Sequence, residues 1–302
     1  MHPASSIIVF STLSGAGYGL AALLGVGLLD AAAPATKAAH LTALLLIAAG
    51  LVSSTLHLGN PRRAWRAVSQ WRSSWLSREG VLAVLAFVPL VGVALFAWLE
   101  GRHPPVLGLL GAALALGVVY CTGMIYASLR AVDAWATPLT PLCYLLFALS
   151  SGALLAAAFR PSSTGLLALA LLALGAAWAA KLVWRRRMFG VTPLSSPESA
   201  TGLGELGRVR LFEPPHMTDN YLTREMGFRI ARKHAAKLWR LALLGGGIVP
   251  AALLLLALIA PRPVLAGVVA ALAAGLHLLG LLVERWLFFA EARHAVSNYY
   301  GR

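Results

Sequence analysis

Long uncharged runs of Leu, Ala, Val and Gly alternate along the chain with short clusters of Arg, Pro, Ser and Gly. Eight apolar stretches stand out, at residues 6–29, 38–58, 80–99, 106–128, 139–159, 164–184, 239–260 and 264–288. Each is close to the roughly 20 residues that an α-helix needs to cross a hydrocarbon core. Strands of a membrane barrel are shorter and alternate in polarity, which these runs do not. Backbone groups in lipid must be satisfied within the segment, and at these lengths only helices do that. The pattern predicts an all-α integral membrane protein of eight transmembrane helices. Residues 1–302 read as a single membrane domain, with helices 1–4 over about 6–130, helices 5–8 over about 138–290 and a basic loop over about 185–238.

Polar positions inside these runs refine the picture. In span 1, Ser11, Gly15 and Gly19 recur every four residues, with Gly17 between them. Small residues at that spacing allow close helix packing, and they can also edge a cavity. The connection after span 2 opens with Asn60-Pro61, which reads as an N-cap followed by proline at the first helical position. From Arg62 to Leu76 the spacing predicts an amphipathic helix, with Trp65, Val68, Trp71, Trp75 and Leu76 on one side and Arg63, Arg66, Gln70 and Ser74 on the other. Arg72 breaks the apolar face and would snorkel. Such a helix lies in the membrane interface. A second interfacial helix is expected in the 6–7 connection, where Tyr221 to Arg240 is helical in pattern and strongly basic.

Composition agrees with the hydropathy pattern. Of 302 residues, 59% are hydrophobic and 12% charged, and the mean hydropathy is +0.76. A soluble domain carries more charge than that. The first stretch is expected to be a span and not a cleaved leader, because no basic residue precedes it and further spans follow. The formal net charge of +14 is first a topology signal. Lys37, Arg102, Arg160 and Arg262 fall on one side, and the other 21 of 25 basic residues fall on the side of both termini. The positive-inside rule then puts both termini and the long basic loops in the cytoplasm. The long basic connections follow spans 2 and 6, the same place in each half, which suits two four-helix bundles related by a parallel repeat. The basic loops could meet anionic lipid or an acidic protein partner; nothing in the pattern suggests nucleic acid.

Ionisable groups at membrane depth are candidates for function. His57, at the end of span 2, and Glu79, at the start of span 3, share one depth. A neutral quinone head group sits at such a depth, and its reaction needs hydrogen-bond partners for two oxygens and groups that exchange protons. Histidine suits that role, and so does a partly buried carboxylate. Local explanations stand beside this. Glu79 falls in the first turn after Ser77, the expected N-cap, where the helix dipole favours negative charge, and His57 can cap span 2. Tyr126 closes span 4 either as an inward hydroxyl donor or as an interfacial belt residue. His277, near mid-membrane in span 8, reads as hydrogen-bonded to a neighbouring helix. The histidines do not pair at matched depth, so no haem is expected. The two cysteines, Cys121 and Cys143, form no CxxC, so no metal is expected either.

The segments Leu56-His57-Leu58-Gly59-Asn60-Pro61 and Leu76-Ser77-Arg78-Glu79 resemble the membrane anchor subunit family of dimethyl sulfoxide reductase. Met124 to Arg130, Tyr221 to Gly227, Ile230 to Ala235 and Glu284 to Phe289 are similar in order and spacing. The opening Met1-His2-Pro3-Ala4 with Ser14-Gly15-Ala16-Gly17 resembles the branch that anchors a cytoplasmic sulfite-oxidising enzyme. The resemblance implies an eight-span anchor without its own metal. It would bind quinone or quinol (menaquinone or ubiquinone) and hold a molybdopterin catalytic subunit through an iron–sulfur subunit. It implies that His57 and Glu79 bind the quinone. Arg62, Arg78 and Tyr126 join them by position, and Arg63, Arg66, Arg130, Arg229, Arg232 and Lys233 are expected to dock the partner. The competing readings are a scaffold without quinone chemistry and a transporter; the latter would carry broken helices with charges at mid-membrane.

Overall fold

In the computed structural model, residues 4–56, 65–66, 68–190, 195–213, 218, 230–260 and 262–300 are described, with the side chains of 230–233 and 300 left aside. Eight helices are long and apolar enough to cross a membrane, and there is no strand among the described residues. They are α1 (Ser5–Gly25), α2 (Pro34–Thr55), α3 (Trp75–Leu99), α4 (Pro105–Ala127), α5 (Leu139–Phe159), α6 (Thr164–Gly190), α7 (Ile230–Ile259) and α8 (Pro263–Ala290). Prolines open α2, α4 and α8 in the first turn, where a missing N–H is harmless.

Each half closes as a ring. α1 packs on α2 and α4, and α3 on α2 and α4; in the second half α5 packs on α6 and α8, and α7 on the same two. The rings meet chiefly where α5 contacts α1 and α4. The small-residue row of span 1 serves both of its readings. At Gly19 a Cβ would fall 1.8 Å from the Ala148 carbonyl oxygen of α5, so only glycine permits that crossing. Gly15 meets nothing within 4 Å and edges an internal cavity. Alanines such as Ala83, Ala86, Ala115, Ala156, Ala270 and Ala273 fill the interior, while Val84, Val88, Leu172 and Leu279 face outward. Small residues inside and large aliphatic ones outside are the arrangement expected when lipid is the solvent.

α7 is broken by a π-helical turn at Leu244–Ile248. Pro250, in the segment that follows, has no N–H for the carbonyl four residues back, which is Gly246. That carbonyl instead accepts from Trp178 Nε1 at 2.9 Å and from His277 Nδ1 at 2.6 Å. Neighbouring helices thus satisfy a backbone group that proline released.

Two local expectations are corrected. α3 begins at Trp75, and its N-cap is Ser74, whose hydroxyl accepts from the Ser77 N–H at 3.4 Å; Ser77 itself lies inside the helix. The segment before it is not one amphipathic α-helix from 62 to 76. Residues 65, 66 and 68 have 3-10 geometry and 69–73 form turns. The Ser74 cap ends that segment and starts the span, so Trp75 and Leu76 belong to α3. The 6–7 connection does supply a basic helix, which runs from Ile230 directly into α7; residues 221–229 lie outside the described residues.

The connections at one end of the bundle are tied together. The Ala295 N–H donates to the Ala131 carbonyl at 2.8 Å, joining the C-terminal segment to the 4–5 connection. Asn298 donates to Ser195 at 2.9 Å and Tyr299 to the Ala200 carbonyl at 2.7 Å, joining it to the 6–7 connection.

Candidate functional site

Glu79 is the fifth residue of α3, about 6 Å into the helix at a rise of about 1.5 Å per residue. It is 6% exposed. Its carboxylate is held by the Thr122 hydroxyl of α4 in a short hydrogen bond. The same hydroxyl lies 3.1 Å from the Val118 carbonyl. One hydroxyl proton therefore faces two acceptors. When Glu79 is ionised, Thr122 can give it that proton; when Glu79 is protonated, its own O–H can donate to Thr122, which turns to Val118. The pair suits either protonation state without leaving a group unsatisfied.

Three tyrosines lie in electrostatic range of this carboxylate: Tyr18 of α1, Tyr126 of α4 and Tyr144 of α5. Tyr126 turns into the bundle, the first of its two sequence readings. Its ring packs on Trp135, Tyr144, Phe288 and Phe289 with centroids 5.3–5.7 Å apart. Tyr18 and Tyr144 do not stand out in the sequence. Their hydroxyls are buried with no hydrogen-bond partner among the described residues. The available signal is a tyrosine well inside an apolar span, away from the interfacial belt.

Arg78 is next to Glu79 in sequence but points elsewhere. Its guanidinium donates to the Trp71 carbonyl at 3.0 Å and the Arg72 carbonyl at 2.7 Å, and it lies 4.3 Å over the Trp75 ring. It ties the 2–3 connection to α3. His57 and Arg62 lie outside the described residues, so their relation to Glu79 is not described. Of the residues expected to dock a partner, Arg66 and Arg130 are exposed at the tied end of the bundle. Arg63 and Arg229 lie outside the described residues. Arg232 and Lys233 are in the first turn of α7, with side chains outside them.

A second buried polar group joins Glu284 and Arg285 of α8 to Lys181 of α6, a link that the sequence reading does not make. Lys181 falls in the last turn of the expected span 164–184 and is counted in the sequence reading with the basic residues of the cytoplasmic side. The helix continues to Gly190 and is about 40 Å long, more than the roughly 30 Å core, so Lys181 falls within the span. Its Nζ lies 2.5 Å from Glu284 Oε1 of α8, and Arg285 Nη1 lies 3.3 Å from Glu284 Oε2. The three side chains are 3%, 0% and 2% exposed. The Arg285 guanidinium sits 3.7 Å over the Tyr144 ring, and Lys181 Nζ 3.6 Å over Trp184. Two cations and one carboxylate at membrane depth need a reason beyond packing.

Between Glu79–Thr122 and this triad lies a cavity of about 10 Å³, lined by Ser11, Thr12, Gly15, Thr122, Tyr144 and Arg285 among others. That is room for about one water. A quinone ring does not fit there. The residues fit a quinone only if its head group reaches Glu79 from the other side, where the 2–3 connection leads into α3. Contact between α2 and α3 is sparse beside that between α3 and α4, so this seam is the more easily opened. Among the described residues no three His, Cys, Asp or Glu side chains converge as a metal site would require.

A multi-pass helical membrane protein with a buried carboxylate at one end defines the general class. The first 183 residues match the family model described as "DMSO reductase anchor subunit (DmsC)". Over 99% of both chains the protein is 35% identical to the C subunit of sulfite dehydrogenase from Allochromatium vinosum. Over 38% of this chain and 41% of the other it is 34% identical to "Anaerobic dimethyl sulfoxide reductase chain YnfH" of Escherichia coli K12. No solved structure matches. The chain belongs to the DMSO reductase anchor subunit family, and its place is as the membrane anchor of a complex with catalytic and electron-transfer partners.

Proposed function

We propose that the chain anchors a sulfite dehydrogenase-type complex in a bacterial inner membrane and is where that complex meets quinone. A partner iron–sulfur subunit, itself supplied by a molybdopterin subunit, would pass electrons to ubiquinone or menaquinone bound at Glu79, with His57 as the second polar contact. The similarity to the sulfite dehydrogenase relative over nearly the whole length of both chains supports that branch. The observation that carries the quinone reading is the buried Glu79 carboxylate on Thr122. Glu79 lies about one turn inside α3, which suits a carboxyl that holds a proton for a quinone head group near the membrane surface. The exposed Arg66 and Arg130 and the basic start of α7 support docking of the partner at this end, and the excess of basic residues there supports a cytoplasmic location for it and both termini.

What this chain's residues do in that reaction follows from their chemistry. Glu79 holds a proton for a quinone oxygen, Thr122 orients the carboxylate in both protonation states, and the apolar wall of α3 excludes bulk water. The quinone supplies the redox chemistry when bound. In the purified complex, Glu79→Gln should weaken binding of a quinol-site inhibitor by about 10-fold or more, the worth of a charge-assisted hydrogen bond of about 1.5–3 kcal/mol. Quinone-linked turnover should fall at least as far while the complex stays assembled; Thr122→Val should show a smaller loss of the same kind. Wild-type inhibitor binding and turnover in Glu79→Gln and in His57→Ala would leave a scaffold without quinone chemistry as the better reading.

A further inference from the structure

The polar interior beyond Thr122 plays no part in holding a quinone, yet it is continuous with Glu79. Thr122 joins the two, since its hydroxyl bonds Glu79 and it lines the water-sized cavity. On the cavity wall, Thr12 Oγ1, Tyr144 OH and Arg285 Nε are buried with no hydrogen-bond partner among the described residues. They come from α1, α5 and α8. Three unsatisfied polar atoms around a space for one water are what a buried water needs, since such waters make about three hydrogen bonds. A dry cavity would strand all three groups.

Charge connects the two sides of the cavity. Lys181 and Arg285 carry two positive charges against the one of Glu284. Adding Glu79 across the cavity brings the four formal charges to zero only when Glu79 is ionised. A proton placed on Glu79 leaves one positive charge uncompensated in a low-dielectric interior, where such an excess is unfavourable. The groups around Glu79 are Tyr18 of α1, Cys121, Thr122 and Tyr126 of α4, and Tyr144 of α5, with Arg78 beside it in sequence only. Arg78 is turned to the 2–3 connection, so the buried charges on the far side of the cavity are those of the triad.

The layer also leads outward. One turn along α6 from Lys181, Arg185 pairs with Glu291 at 2.5 and 2.8 Å, and both line a wide cleft at the tied end of the bundle, together with Arg293 and His294. Glu284 lies close enough to feel Arg185.

We propose that the cavity water and the Lys181–Glu284–Arg285 triad form a proton relay that reloads Glu79 from this cleft. The proposal rests on the quinone reading above. Reduction of one quinone consumes two electrons, delivered by the partner's iron–sulfur carrier, and two protons. For each proton, the O–H bond of the Glu79 carboxylic acid breaks and a new O–H forms on a quinone oxygen. The Glu79 carboxylate then takes a proton through Thr122 from the cavity water, and the water is replenished from the cleft by way of Glu284. Arg285 and Lys181 pass no proton in these steps. Their excess charge is relieved when Glu79 gives up its proton, so the triad pushes that proton toward the quinone.

The test uses Thr12→Val and Tyr144→Phe, near-isosteric changes that remove one orphan hydroxyl each, alone and combined, in the purified complex. The readouts are inhibitor titration, the inhibitor-sensitive rate of short-chain quinone reduction with reduced viologen as donor, and the solvent deuterium isotope effect on that rate. Inhibitor affinity should not change. The rate should fall by about fivefold or more in the double variant, the worth of about one hydrogen bond, and its isotope effect should rise. A wild-type rate and isotope effect in the double variant would overturn the relay, as would a high-resolution structure of the complex with no water at Thr12, Tyr144 and Arg285. Glu79→Gln separates the two proposals. If it leaves inhibitor binding and turnover intact, the quinone reading fails; if it abolishes them while the double variant is normal, the relay alone fails.

Discussion

α8 holds two buried polar centres, two turns apart, and they are built in opposite ways. Around His277 every polar group is answered. Nδ1 donates to the Gly246 carbonyl at 2.6 Å, and Nε2 lies 3.1 Å from Ser151 Oγ and 3.4 Å from Ser150 Oγ. A Cβ on Gly280 would fall 2.2 Å from the Gly246 nitrogen, so α7 and α8 are in contact beside the ring with no space between. Around Glu284 and Arg285 the same helix carries charges, unanswered polar atoms and a cavity. Burial does not separate the two centres; hydrogen-bond satisfaction does. A closed cluster holds helices together, whereas one with room for water and open valences can move a proton.

The largest expected effect comes from breaking the charged centre. Removing one member of a buried ion pair strands its partner and costs about 3–5 kcal/mol. Lys181→Ala and Glu284→Ala should therefore lower the thermal midpoint of the purified complex strongly, or prevent assembly. Lys181→Met combined with Glu284→Gln should recover part of that stability, because it leaves no charge unpaired between these two positions while Arg285 still loses its carboxylate. Recovered stability with a depressed quinone-reduction rate would show the triad to be kept for function. If the single variants are as mild as changes at His277, the contrast between the centres fails.

The closed centre should respond in the opposite sense. His277→Ala removes a donor to Gly246, but Trp178 still donates to that carbonyl. The loss should be about 1–3 kcal/mol, read as a lower midpoint in detergent, with the inhibitor-sensitive rate within about twofold of wild type once the complex is assembled. A collapsed rate in a well-folded variant would move His277 from structure to function.

The sequence reveals these centres unequally, for physical reasons. Helix count and the small-residue crossing at Gly19 are local consequences of hydropathy and side-chain size, and they are legible, whereas the sequence leaves Tyr126 open between an inward position and the interfacial belt. So is Glu79, a carboxylate at the start of an apolar run. Gly246 as an acceptor is also within reach, since Pro250 four residues on must free its carbonyl. The Lys181–Glu284 pair is not. It depends on α6 and α8 meeting, contacts more than 100 residues apart in the chain, and on α6 outrunning the membrane so that a terminal-looking lysine falls inside it. Tyr18 and Tyr144 are hidden by the frequency of tyrosine at membrane interfaces. The connection before α3 misleads because its tryptophans follow helical spacing while Ser74 caps the next helix and interrupts it.

The smallest effect takes the comparison out to the membrane surface. His294 lies four residues beyond α8 on the wall of the cleft. Its Nδ1 accepts from the Val296 N–H at 3.1 Å, a role that protonation of this nitrogen would end. Partial burial holds its pKa below the usual histidine value, so the fold favours the neutral ring. Its stabilising contribution is then fully present above about pH 6.5, the unfolded value, and is lost as pH falls from there toward the lower folded pKa. Hydrogen exchange should report lower protection, corrected for intrinsic rates, in the segment 295–299 at about pH 5.5 than at about pH 7.5. The rest of α8 should be unaffected, because His277 is sealed by its own bonds. His294→Ala should remove the pH dependence and give the low-pH protection at both values. A response that spread into α8 would mean that the cleft and the buried charges open together, and the two ends of the helix would then have to be treated as one titrating unit.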